Sequence, residues 1–336
     1  MNIDLILDAR ASADELAELG VLAEQLGFAG IWVSSLLDGR DPFANMSVLA
    51  RATQKIALGP IAVNPWDMHP VRISGALHTL NELSNGRARV VIGGGGEALA
   101  ALNLQPKRRV RAVHECVELI KLASRGQKFD YIGQLYQARG YSLGWLQSAA
   151  PKVYVGANMD QMLRMAGRVA DGVMLSDLPP KLATRAIAKA REAADDNNRD
   201  SAGLWFSSFT AWHVYADEEQ ARQEAKRWLL LRGLFRPWVL QEFLNADEIA
   251  TVMANQASFV KAFTEKSHVI PGVPESIIDK LVAALTLTAA RDNVDALIGE
   301  LQAYRHAGLT SVSLRLYQQP AESMQLIAER MLPALQ

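Results

Sequence analysis

The densest chemical signal in the 336-residue sequence is a run of four glycines, Gly93, Gly94, Gly95 and Gly96, directly followed by Glu97. Residues without a Cβ let a planar or phosphorylated ligand lie against backbone amides, so the run reads as a cradle; a flexible turn is the plainer reading. A triphosphate loop needs Gly-Lys-Ser/Thr here, and the chain continues Glu97-Ala98, which argues against nucleoside triphosphate chemistry. Gly156-Ala157-Asn158 forms a second amide cluster ahead of a helical pattern, where a helix N-terminus favours phosphate. Its alternative is a capping turn with Asn158 as N-cap. Asp38-Gly39-Arg40-Asp41 offers an arginine that can hold a carboxylate or simply join a surface ion pair. The single cysteine, Cys116, permits neither an internal disulfide nor a cysteine-based zinc site and reads as core; no metal site is expected.

Such residues act only if the chain brings them together, and the apolar pattern provides the frame. Short apolar runs bounded by Gly, Asp or Pro alternate with helix-period runs, the signature of βαβ units around a parallel sheet. Strands are expected over 3–7, 30–34, 56–63, 88–93, 152–155, 172–175, 204–215 and 311–316. Helices are expected over 12–26, 42–53, 70–83, 107–124, 160–169, 180–197, 293–307 and 320–335, the first opened by a Ser12/Glu15 capping box. Eight strands with helices between them predict an α/β fold of the (β/α)8 TIM-barrel kind, one domain over 1–336. The sequence from 218 to about 263 is helical and tryptophan-bearing, so 218–290 is expected to be a helical insertion before the last strand, while the stretch holding Gly133, Gly140 and Gly144 reads as irregular. A doubly wound dinucleotide-binding sheet would place a glycine-rich turn after the first strand, where the chain has Asp8-Ala9-Arg10-Ala11. In a barrel the site is built from residues after the C-terminal strand ends, and the candidates above fall there.

With 49% hydrophobic and 21% charged residues and a net charge of −1, the chain buries a large core and shows no footprint for nucleic acid or anionic membrane, which require clustered cations. The N-terminal stretch carries acids where a signal peptide needs bases, and no apolar run approaches the ~18–20 residues of a membrane span, so a cytoplasmic protein with a small-molecule substrate is expected.

The stretch LGPIAVNPWDMHPVRISGALHTLNELSNGRARVVIGGGG resembles the strand-three to strand-four region of the bacterial-luciferase-like superfamily of flavin- and deazaflavin-dependent oxidoreductases, and most closely its methylenetetrahydromethanopterin reductase branch. GIWVSSLLDGRDPF, PKVYVGANMDQMLRMAGRVADGVML and DNVDALIGELQAYRHAGLTSVSL agree with that branch. The resemblance implies a TIM barrel that holds its cofactor at the C-terminal mouth, phosphate near strands four to six and ring over strand three. Coenzyme F420 (8-hydroxy-5-deazaflavin) is the implied cofactor, used for hydride transfer, with FMN and a monooxygenase reaction as the alternative. A non-catalytic flavin-binding barrel is the reading from another class. The resemblance further implies a non-prolyl cis peptide within Ile61, Ala62 and Val63, behind the ring. Asn64 would bond a ring carbonyl or fix the turn before Pro65, and His69 would act as a base or pin a helix start. Arg40, Trp66 and His69 are candidates for substrate or cofactor tail, and Asp38 and Glu97 for catalysis, Glu97 as a proton donor if burial raises its pKa or else as a solvated helix-start acid.

The chain also departs from that pattern. Ala98, Leu99, Ala100 and Ala101 follow the glycines where a basic or aromatic residue is common, and Ser34-Ser35-Leu36-Leu37 ends strand two, so an apolar substrate or a lost branch activity is expected. Trp205, Trp212, Trp228, Trp238 and Phe235 read as core or as a lid. Arg222, Lys226, Arg227, Arg232 and Arg236 read as a solvated face or as contacts to a polyanionic cofactor tail. The apolar residues Phe43, Met46, Val48 and Leu49 of the 42–53 helix suggest a homodimer face.

Overall fold

The computed structural model describes residues 1–233 and 236–335, apart from the side chains of residues 97 and 98. The strands in chain order are β1 (Asn2–Leu7), β2 (Gly30–Ser34), β3 (Ala57–Ile61), β4 (Arg89–Ile92), β5 (Phe129–Ile132), β6 (Gln137–Tyr141), β7 (Lys152–Gly156), β8 (Gly172–Ser176), β9 (Trp205–Tyr215), β10 (Thr286–Ala290) and β11 (Ser311–Arg315). Parallel pairing runs β3-β2-β1-β11-β9-β8-β7-β4, and bridges from Leu58 to Ala88 and from Val63 to Ile92 bring β3 to β4. The eight strands expected from the sequence thus form a nearly closed TIM-type barrel with helices outside. Both faces of such strands are covered, which is why β2, β4 and β11 are buried along their whole length. Proline opens the helices Pro42–Ala52, Pro70–Leu83, Pro180–Asp195 and Pro320–Arg330, where its missing N–H costs no intrahelical bond.

Inside the barrel, Asp4 on β1 reaches Arg89 on β4 at 3.0 Å and accepts from the Trp32 indole at 3.1 Å. The Arg89 guanidinium lies 3.9 Å from the Trp32 ring centre, and Tyr154 stacks on Trp205 at 4.3 Å. This plug fills the barrel's lower half, so any ligand space has to lie above it.

Three expectations are corrected. The stretch around Gly133 and Gly140 is an antiparallel hairpin, β5 with β6. Its anchor is the fully buried Glu115, whose carboxylate accepts from Arg111 and from the backbone N–H groups of Gln134, Leu135 and Tyr136. The segment 218–290 ends in a strand, β10, which pairs parallel with the C-terminal half of β9. Short and built from Thr, Leu and Ala, β10 has no alternation of its own and forms because β9 runs on past the barrel with an open edge. Phe43, Met46 and Leu49 are buried against their own chain, and only Val48, 40% exposed, remains of the apolar face on Pro42–Ala52. Cys116 sits in the core on the helix Arg109–Ala123, where burial pushes its thiol pKa up and keeps it protonated. Among the described residues no helix is long and apolar enough to cross a membrane, and no group of three His, Cys, Asp or Glu side chains could hold a metal.

Candidate active site

A cavity of about 1320 Å³ opens at the C-terminal ends of the barrel strands. Its floor is Ile61, Ala62, Val91, Met174 and Phe209, directly above the aromatic plug. The Ile61–Ala62 peptide bond is cis, inside the tripeptide named from the sequence. Gly94, Gly95, Gly156, Ala157 and Asn158 form one side. A Cβ on Gly94 would stand 3.4 Å from Met162 Cε and 3.6 Å from Arg109 Cβ; one on Gly156 would stand 3.6 Å from Val91 Cγ1. These are ordinary contacts, so packing alone does not require glycine there; what glycine provides is bare backbone facing the cavity. Two helices begin at this side, Arg109–Ala123 and Asp160–Val169, and neither has a side-chain cap. Their first N–H groups have no intrahelical acceptor and carry the positive end of the helix dipole. Arg109 adds a full charge and has no ion-pair partner among the described residues. The Asn158 amide is occupied, donating to the Ser176 carbonyl at 2.7 Å and accepting from its N–H at 3.0 Å, which ties β7 to β8. The N-cap of Asp160–Val169 is Met159, not Asn158.

The facing wall comes from Trp228, Leu231, Arg232, Arg236, Trp238 and Phe263, between β9 and β10, and from Tyr317 after β11. Arg232 and Asp177, both buried, pair at 2.9 Å, and Ser176 donates to the same carboxylate at 2.7 Å. Burial pushes the Asp177 carboxyl up, while the nearby Arg232 and Arg236 charges pull it back toward the ionised form. Along the rim Arg315 meets Asp8 at 3.0 Å, Arg10 lies 3.7 Å from Asp8 and donates to Asp38 at 2.7 Å. The Arg10 hydrogen bond holds the Asp38 carboxyl below its ordinary range, so Asp38 is suited to orienting a cation and not to giving up a proton at neutral pH. Behind Tyr317, His213 is stacked at 4.6 Å, fully buried, and its pKa is lowered to about 3 by burial and then by Arg232.

Of the candidate catalytic, cofactor and substrate residues named from the sequence, Asp38, Ile61, Ala62, Gly94, Gly95, Gly156, Ala157 and Asn158 line the cavity, together with Ser34, Ser35, Leu36 and Leu37 at the end of β2. The others do other work. Val63 bridges β3 to β4, and the Gly93 N–H donates to its carbonyl at 2.8 Å. Asn64 accepts from the Trp66 and Asp67 N–H groups and donates to the Asp67 carboxylate, so it fixes the turn. Trp66 lies against Gly95 with its indole N–H buried and without a partner among the described residues. His69 is the N-cap of Pro70–Leu83, accepting from Val71 N–H at 3.3 Å, its ring edge-on to Tyr136 on the hairpin. Arg40 donates to the Arg10 carbonyl, and Gly96 precedes the short 3-10 helix Glu97–Leu102. The side chain of Glu97 and all of Phe235 lie outside the described residues.

The apolar residues after the glycine run do not make the cavity apolar: Leu99 is buried, and Arg10, Arg109, Arg232, Arg236 and Arg315 line the space. Sequence reasoning missed Arg10, Arg109, Arg315 and Tyr317 as lining residues. Arg109, at the start of the helix that follows the glycine run, was the one with a local signal. The basic series divides cleanly. Arg222 pairs with Glu275 and Asp279, Lys226 with Glu275 and Arg227 with Glu224, whereas Arg232 and Arg236 turn to the cavity. Trp205 belongs to the barrel interior and Trp212 to the core, while Trp228 and Trp238 line the cavity.

The luciferase-like monooxygenase family profile matches residues 3–305. A 5,10-methylenetetrahydromethanopterin reductase of Archaeoglobus fulgidus is 28% identical over 94% of this chain and 93% of its own. Among solved structures, the coenzyme F420-dependent tetrahydromethanopterin reductase of Methanopyrus kandleri superposes with a TM-score of 0.83 at 21% identity, over 100% of this chain and 99% of that one. The oxygenating constituent of 3,6-diketocamphane monooxygenase of Pseudomonas putida, in complex with FMN, superposes with a TM-score of 0.68 at 17% identity, over 99% and 98% of the chains.

Proposed function

Since the chain belongs to the luciferase-like monooxygenase family, we propose that it is an oxidoreductase that binds coenzyme F420 at the barrel mouth and serves hydride transfer to or from a small organic substrate. One observation carries this reading: the bare cradle of Gly94, Gly95 and Gly156 over the Ile61–Ala62 floor, beside Arg109, which has no ion-pair partner among the described residues. A flat ring needs a surface free of Cβ atoms, and a phosphate needs amides and a cation, so the residues present fit the group. The coenzyme named for the Methanopyrus reductase supports the deazaflavin. When bound, the deazaflavin accepts or donates the hydride at its ring.

The chain's own part is binding and shielding. Arg109 and the uncapped first turn of Asp160–Val169 hold the phosphate. Ile61, Ala62 and Val91 keep water from the floor, where the low dielectric strengthens every polar contact above it. The Arg10, Asp38, Asp8 and Arg315 network fixes the loops after β1 and β2 at the rim. No side chain is needed as a covalent nucleophile.

Titration of the purified protein with F420 and with FMN, followed by coenzyme fluorescence, tests the reading. F420 is expected to bind at micromolar concentration and more tightly than FMN, and the reduced form to support turnover without oxygen. Tighter FMN binding, with oxygen consumed when reduced FMN is supplied, would replace it by the monooxygenase reading that the FMN-bound camphane enzyme supports. Binding of neither coenzyme would leave a non-catalytic barrel.

A further inference from the structure

The wall opposite the glycines carries buried donors without acceptors. Arg236 Nη1, Arg232 Nε and Trp228 Nε1 are all buried and have no hydrogen-bond partner among the described residues, and all three residues line the cavity. Buried N–H groups are nearly always paired, and leaving one unpaired costs about 1–3 kcal/mol, so three on one wall call for an acceptor. The charge balance points the same way. Arg232 is paired with Asp177, Arg315 with Asp8 and Arg10 with Asp38, but Arg236 has no ion pair within reach among the described residues. Gly233 has φ +68, and a Cβ there would lie 3.3 Å from Arg236 Nη1 and 3.7 Å from Asp177 Cβ, so Arg236 lies beside the pair already formed by Arg232. The Asp177 carboxylate compensates Arg232, and the Arg236 charge beside it is left over.

Beside these donors stands an aromatic surface. Trp228 lies 4.5 Å from Tyr317 and meets Phe263 edge-on at 5.5 Å. The cavity, at about 1320 Å³, exceeds the roughly 300–1,000 Å³ of a one-ligand pocket, so a cofactor on the glycine side leaves room on this side.

We propose that this wall is the substrate subsite and that it selects a substrate with a flat apolar body bearing an oxyanion, carboxylate or phosphate, held by Arg236 and the Trp228 indole N–H. The assignment rests on the coenzyme occupying the glycine side as proposed above. Guanidinium suits it because its planar donors match a carboxylate or phosphate fork, and the indole can only donate. The body of the substrate lies against Trp228, Tyr317 and Phe263.

Calorimetric titration of the coenzyme-loaded protein tests this with benzoate, phenyl phosphate and uncharged benzamide as probes. At least one anion is expected to bind about tenfold more tightly than benzamide. Arg236→Met erases that preference, Arg236→Lys keeps part of it, and Trp228→Phe, which removes the N–H together with part of the ring surface, weakens the anion about fivefold and by more than it weakens benzamide. Melting temperature and coenzyme affinity of each variant stay near those of the unaltered chain, which separates a lost subsite from a lost fold. Both anions binding no better than benzamide, or a preference that survives Arg236→Met, overturns the proposal. Coenzyme titration reports on the underlying reading separately: an anion preference lost with Arg236→Met in a chain that binds no coenzyme would keep the subsite and end the F420 assignment.

Discussion

Two walls of one cavity are made by opposite means. The glycine wall is backbone, carried on the ends of β4 and β7, whose pairing of Ile92 with Val155 sets the start of the glycine run beside Gly156. The facing wall is side chain, a set of aromatic rings and guanidinium groups between β9 and β10 that is fastened to the barrel by the Arg232–Asp177 pair. One wall is sensitive to added atoms and the other to removed ones. A cofactor common to many reactions suits the first, because amides and dipoles recognise phosphate and a flat ring whatever the substrate. Selectivity suits the second, where each side chain can be exchanged without touching a barrel strand.

Substitutions should separate the two walls, and the largest effect falls on the anchor. Asp177→Ala leaves the Arg232 charge buried and uncompensated, and the unfolding free energy in denaturant should drop by about 3–5 kcal/mol. A loss under about 1 kcal/mol would mean that the pair does not fasten the wall. Next comes Gly156→Val, whose Cβ finds only ordinary contacts and whose methyl groups enter the cradle. The fold should hold while coenzyme affinity falls about 30-fold, roughly 2 kcal/mol; unchanged affinity would remove the cradle from the site.

Third is His213. Its folded-state pKa, lowered to about 3, lies below the ordinary 6.5, so the unfolded chain binds the proton more readily. Its contribution to stability is complete above pH 6.5 and declines as the pH falls, with a slope approaching ~1.4 kcal/mol per pH unit between the two pKa values. Urea unfolding at pH 7 and pH 5 should show that decline in the natural chain and a smaller one in His213→Leu. The smallest effect belongs to Arg222, whose partners Glu275 and Asp279 are more than half exposed; Arg222→Ala should change stability by less than about 1 kcal/mol. A larger change would place that outer ion-pair group among the supports of the cavity.

Much of the frame was readable along the chain because it rests on local patterns. Period-two and period-3.6 apolar runs marked the eight barrel strands and most helices, and Ser12 with Glu15 formed the capping box that the spacing suggested. The hairpin β5–β6 escaped because its strands are short and half-exposed and its anchor, Glu115, lies on a helix about twenty residues earlier. Asn64, His69 and Arg40 had the right chemistry for a site, yet their side chains serve their own turns, helix start and loop. A polar residue at a strand end has two possible duties, and only the direction of its side chain distinguishes them.

By itself the sequence determined the barrel and the glycine side of the site, since apolar period and the absence of Cβ atoms act on neighbouring residues and need no distant partner. The arginine and aromatic side was decided by tertiary structure alone. Arg222 and Arg236 belong to one basic series in the sequence, but two carboxylates from the helix Glu275–Leu285 neutralise Arg222, whereas Arg236 lines the cavity with no ion pair among the described residues. Which charge meets a partner depends on what the fold carries to within about 4 Å of it, because attraction between charges strengthens as they approach and as water is excluded.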